Sequence, residues 1–162
     1  SCQSREHKTS YIEDSEISVE SQLVYYQNKL FTGTVFRNFP DGKNMNEYDY
    51  VAGKKHGKGT EYLGAAFGEG VRYKKEFNAG LPFGQWQLFY PNGKVKFEFV
   101  YDKTGTKTGL ETMYHDNGKI MRQVNFVSGV KVGEMKRYDE DGTLIHKSKY
   151  NEKGEEIESI DF

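Results

Sequence analysis

Cysteine and proline are almost missing from this chain. A single cysteine, Cys2, excludes an intramolecular disulfide framework and any multi-cysteine metal site. Charge of one sign is missing too. With 23 basic and 24 acidic residues the formal net charge is −1, so no global field draws the chain to nucleic acid. No apolar run approaches the roughly 18–20 residues of a membrane span. Mean hydropathy is −0.84, low for a compact globule.

What is present is glycine and aromatic rings. Eighteen glycines against three prolines point to many tight turns. Twelve tyrosines, 11 phenylalanines and one tryptophan concentrate the apolar material in large flat side chains. Each ring covers roughly 150–250 Å², which suits a thin sheet with few core positions.

The glycines are periodic. Gly33, Gly57, Gly84, Gly109 and Gly133 stand 24, 27, 25 and 24 residues apart. Gly53, Gly80, Gly105 and Gly129 each precede the next member of that series by four. A fixed period of this length signals a stacked array. A third series reads Pro40-Asp41-Gly42, Pro91-Asn92-Gly93, Asp116-Asn117-Gly118 and Glu140-Asp141-Gly142. Asn-Gly and Asp-Gly favour two-residue type I′ hairpin turns, where both central residues take positive φ. Beyond the turn at Asn92-Gly93, Val95, Phe97, Phe99 and Tyr101 share one parity while Lys94, Lys96 and Glu98 take the other. Period 2 puts one face in the core and one in water. Gly64 to Gly70 replaces the turn motif in the second unit and predicts a wider loop.

These patterns predict an all-β fold: an elongated single-layer antiparallel sheet of about five stacked β-hairpin repeats over 21–162, after a flexible polar tether over 1–20 that becomes a strand near Val19. An isolated hairpin is marginal in water, so the stack needs caps. Leu23 to Phe31 reads as a half unit turning at Asn28-Lys29, and Ile157, Ile160 and Phe162 read as a cover for the far end.

The stretch Tyr50-Val51-Ala52-Gly53-Lys54-Lys55-His56-Gly57-Lys58 resembles the junction of MORN repeats. Gly84-Gln85-Trp86-Gln87-Leu88-Phe89-Tyr90-Pro91-Asn92-Gly93-Lys94 resembles the bacterial variant unit. The resemblance spans about 23–154. It implies an interaction scaffold, in a family linked in part to phospholipid binding and, among bacterial variants, to YwqK-like antitoxin labels. Two departures stand out. Val35, Glu111 and Met135 occupy the places equivalent to Trp86, and the second unit lacks its turn motif.

No catalytic, cofactor or metal motif stands out. His7, His56, His115 and His146 are not at metal-ligand spacing. His115-Asp116 has no nucleophile elbow beside it, and the glycines of 64–70 lack the Lys-Ser/Thr ending of a phosphate loop. The binding-surface candidates are Trp86, Tyr90, Tyr114 and Tyr138, since rings favour interface hot spots, with Lys54, Lys55, Lys107 and Lys131 of the spacers between paired glycines. In a stack those lysines form a row that either receives an acidic partner or anionic lipid, or blunts a solvent edge. Ser1-Cys2 resembles the end of a bacterial lipobox, which reads Cys2 as a lipidation site and places the chain at the cell envelope. The function expected is non-catalytic binding of a protein partner, with anionic phospholipid as the alternative ligand.

If Asn92-Gly93 is a turn that needs positive φ at its glycine, Gly93→Val should lower the melting temperature more than Gly64→Val. Equal melting temperatures for the two variants would refute the turn assignment.

Overall fold

The computed structural model describes residues 10–162. Cys2 and His7 lie outside the described residues. The main sheet has twelve strands. It opens with β1 (Ser10–Glu13), which pairs in parallel with β5 (Gly33–Asn38). From β5 onward the chain is an antiparallel meander: β6 (Asn44–Val51), β7 (Lys54–Tyr62), β8 (Val71–Asn78), β9 (Leu81–Phe89) and β10 (Val95–Tyr101). It continues through β11 (Lys107–Tyr114), β12 (Ile120–Val127), β13 (Val130–Tyr138), β14 (Leu144–Tyr150) and β15 (Glu156–Asp161). β5 to β14 make the five hairpins expected, and strands pack chiefly against their sheet neighbours.

The N-terminal segment departs from the expected tether. Residues 10–20 hold β1, a 3₁₀ turn at Asp14–Glu16 and β2 (Ser18–Glu20). β2 pairs with β3 (Leu23–Tyr26), which pairs with β4 (Lys29–Leu30), giving a separate three-stranded sheet. The hairpin turn between β3 and β4 falls at Gln27-Asn28, both at positive φ, one residue earlier than the sequence suggests. This small sheet caps the array. Ile12, Val24, Phe31 and Val35 are buried together, with Ile17, Tyr26 and Tyr50 against them. Each such side chain contributes about 1.5–3 kcal/mol. The backbone locks the cap in place, because Val24 N–H donates to Gly53 O (2.9 Å) and Gly53 N–H donates to Phe31 O (2.7 Å). Lone apolar residues without a period hid β1, since a four-residue edge strand is too short to show one.

The other end differs as well. Ile157, Ile160 and Phe162 are exposed, because among the described residues β15 has a neighbour on one side and no layer above it.

Two kinds of turn connect the strands, and the Asn-Gly and Asp-Gly turns are not of the type expected. In the main sheet, two-residue turns with both φ positive stand at Ala52-Gly53, Ala79-Gly80 and Ser128-Gly129, as at Ser21-Gln22 and Gln27-Asn28 in the cap. At Pro91-Asn92-Gly93 only the glycine has positive φ, +81°. There Tyr90 N–H donates to Lys94 O and Gly93 N–H donates to Tyr90 O. That is a three-residue type I turn closed by a glycine bulge, and the turns at 39–43, 115–119 and 139–143 repeat its hydrogen bonds. The wide loop expected at Gly64 to Gly70 is present, with a 3₁₀ turn at Ala65–Phe67.

The spacers that the sequence suggests as linkers are the opening residues of β7, β9, β11 and β13. The glycine that follows each sits inside a strand, in a bulge. Glu98 pairs with Thr112 and Val100 with Thr108, so Gly109-Leu110-Glu111 stand opposite Phe99 alone. Gly133-Glu134-Met135 stand likewise opposite Val124. Such a bulge asks for a residue with φ near +70°, which glycine takes without strain.

A Cβ at Gly109 would meet no atom within 4 Å, so Gly109→Ala isolates the backbone cost. It should lower unfolding free energy by about 1–2 kcal/mol in urea titrations. No measurable loss would mean that the bulge does not need its positive φ.

Candidate functional site

Alternation along the strands sorts the two faces. One carries a stripe of rings. Tyr48 meets Phe77 edge-on (5.9 Å between centroids), Phe77 meets Trp86 (5.3 Å), and Trp86 meets Tyr101 (5.2 Å) and Phe99 (6.1 Å). Trp86 Nε1–H is satisfied by Glu76 O at 2.9 Å. These rings are half-buried, and among the described residues no second layer covers them.

Three of the four spacer lysines lie over rings, Lys55 and Lys107 over rings of this stripe and Lys131 over one further along the array. Lys55 Nζ is 3.7 Å from the Tyr48 ring centroid, Lys107 Nζ is 4.4 Å from that of Phe126, and Lys131 Nζ is 5.5 Å from that of Tyr150. The stems cover ring area and the ammonium groups meet the ring faces. Lys54 is exposed and has no such ring.

Two charged clusters sit among the rings. Glu61 accepts from Lys75 (2.5 Å) and from Tyr48. Burial pushes the Glu61 carboxyl up, but these two donors more than offset it and it titrates below the usual carboxylate range. Burial, with Lys75 nearby, pulls Lys55 below the usual lysine range. The second cluster centres on Glu111, 3 % exposed, which holds Lys107 and, at 2.5 Å, Arg122 Nη2.

The glutamate stands where the neighbouring unit has Trp86. The residue two places after the timekeeping glycine points into this face in every unit. Val35 and Met135 are buried there, and Gly59 leaves room that the Tyr48 ring fills. The position demands volume or compensated charge, not tryptophan as such.

The remaining ring candidates do not join Trp86. Tyr114 donates to Glu98 Oε1 (2.5 Å), and Glu98 also accepts from Gln85 and Gln87. Glu98 alternates with Phe97 and Phe99, so Tyr114 is on the opposite, polar face. Burial and Glu98 push its hydroxyl up to about 12. Tyr90 is there too, with Lys96 Nζ 5.2 Å from its ring centroid. Tyr90 donates to Tyr114 O (2.7 Å), and one unit later His115 Nε2 donates to Tyr138 O (3.0 Å). Tyr90 and His115 thus tie hairpin to hairpin, and Tyr138 enters through its carbonyl. Asn92 to Asp116 O (3.1 Å), Asn117 to Glu140 O (2.9 Å), Lys94 to Asn117 O and Lys119 to Asp141 O (both 2.9 Å) complete these staples.

One arrangement has no counterpart in the sequence reading. His146 Nδ1 is 2.6 Å from Asp161 Oδ1 and its Nε2 is 2.8 Å from Ser148 Oγ. The connectivity is that of a serine-histidine-aspartate triad. Ser148 is 1 % exposed and its strand is paired on both sides, so neither substrate nor oxyanion has a place. His146 and Ser148 at i, i+2 on a strand share a face. Asp161 joins them through the register of β15, which no local pattern shows.

Among the described residues no group of His, Cys, Asp and Glu converges as metal ligands, and no helix is long and apolar enough to cross a membrane. Replacing the buried carboxylate by an amide, Glu111→Gln, leaves Lys107 and Arg122 facing a half-buried site without its charge. It should cost roughly 2–4 kcal/mol of stability, measured by denaturant titration. A change under about 0.5 kcal/mol would make the cluster a surface feature.

No curated protein matches the chain. The model of the MORN repeat variant matches three consecutive segments, residues 84–103, 107–128 and 131–152. They coincide with the hairpins β9–β10, β11–β12 and β13–β14, and the run begins just after the irregular unit. By these matches residues 84–152 are similar to a run of three MORN repeat variant units, a repeat that serves as a non-catalytic binding scaffold.

Proposed function

We propose that this chain is a protein-binding scaffold whose partner lies along the stripe from Tyr48 to Tyr101. The observation that carries this is the uncovered ring stripe itself. In a two-layered domain such a face is core, whereas contiguous apolar surface left open marks an interaction site. Lysines over the rings keep the face soluble and add positive charge at its margin. The Ser1-Cys2 junction supports attachment at a bacterial envelope through lipidation of Cys2. An antitoxin- or immunity-like role for the chain is one form of this reading.

The single tryptophan reports on the proposed face. A partner captured by the full chain from envelope extracts, purified and titrated back, should shift Trp86 emission. Tyr101→Ser should weaken its binding roughly tenfold or more. A partner that leaves Trp86 emission unchanged and binds the variant as tightly would place the interface elsewhere. Binding to anionic vesicles alone, falling steeply with salt, would support the lipid ligand instead.

A further inference from the structure

The turn end of the array is closed by staples wherever an Asn-Gly-Lys turn faces its neighbour, as at 90–94 and 115–119. The loop at 63–70 has no such motif. In place of the staples, Lys43 of the preceding turn pairs with Glu69 of the loop. Between the turn at 39–43, this loop and Pro91 a cavity of about 560 Å³ opens, within the usual range for small-ligand sites.

Its walls are mostly apolar, from Phe39, Met45, Leu63, Phe67 and Pro91. Phe67 sits at the rim, 73 % exposed, an arrangement that a ligand would improve by covering the ring. Two charged side chains also line the hollow. Glu61 is compensated by Lys75 and Tyr48. Arg72 forms no ion pair among the described residues and is exposed, with its guanidinium carbon 5.6 Å from the Tyr73 ring centroid. The site thus offers an apolar hollow with one planar cation, whose charge reaches Glu61 but which no carboxylate holds at ion-pair distance among the described residues. Glu61 and Glu69 nearby disfavour a dianion such as a phosphate monoester.

We propose that this hollow binds a small monocarboxylate with an apolar body, an aryl- or alkyl-carboxylate, whose carboxylate meets the Arg72 guanidinium as a fork-to-fork pair. The irregular second unit is then the ligand-binding unit of the array. The hollow adjoins the ring stripe at Glu61, which accepts from Tyr48, but the ligand contacts proposed here use none of the stripe's rings.

The test is an NMR titration of the full chain with 4-phenylbutyrate and with its neutral counterpart, 4-phenylbutanamide. The acid should give saturable shifts confined to 39–46 and 61–72. It should bind about tenfold or more tightly than the amide. Arg72→Gln should erase that preference and Phe67→Ala should weaken both ligands. Both residues are exposed, so neither change threatens the fold, and Arg137→Gln on the far hairpins should alter nothing. Absence of saturable shifts up to roughly 10 mM would overturn the proposal. So would shifts centred elsewhere, equal binding of acid and amide, or a preference that survives Arg72→Gln.

Discussion

With no second layer against it, the sheet buries apolar surface only where one side chain lies across its neighbours. The contact that does this again and again is a ring packed on rings of adjacent strands, with a lysine stem laid over them. Tyr48, Phe77, Trp86, Phe99 and Tyr101 form one such run, and Lys55, Lys107 and Lys131 lie on it or on its continuation. Rings suit this task because each covers several strand spacings' worth of area at the loss of little rotamer freedom. The lysines suit it because their stems are apolar and their heads stay near water.

The glycine bulges follow from the same constraint. Three residues opposite one increase the local twist and turn the residue two places after the glycine into the face. That residue is buried at Val35, Glu111 and Met135. Where it is Val35 or Met135 the need is met by volume, and where it is Glu111 by two cations. At Gly59 the place is vacant and a tyrosine from the preceding strand, Tyr48, lies over it. One position therefore tolerates four chemistries, because the requirement is filled space with compensated charge.

At the turn end the structure is held differently, by side chains of one hairpin bonding carbonyls of the next. Each such bond is worth about 1 kcal/mol, so the regular part of the array is a series of small equal links. The unit around Gly64 to Gly70 omits them and opens the hollow beside Arg72. Regular units make the scaffold, and the departure from regularity makes the room for a ligand.

The repeat, the strands and the single-layer fold were legible because period 2 and the glycine spacing are local properties of the chain. The wide loop was legible by the absence of a turn motif. Turn type was not, since Asn-Gly serves both the two-residue turn and the three-residue turn, and the strand register chooses between them. The strand near Val19 was legible, but β1 was hidden because it finds its partner β5 some twenty residues away. Of the ring candidates, Trp86 lies on the ring face while Tyr90 and Tyr114 lie on the other, because the turn bulge shifts side-chain parity between the strand and the turn. By itself the sequence determined the number of hairpins and which residues alternate. Tertiary structure alone decided which rings share a face, which lysines lie over them and where a cavity remains, since bulges and cross-strand register set those and neither is written in any one stretch of chain.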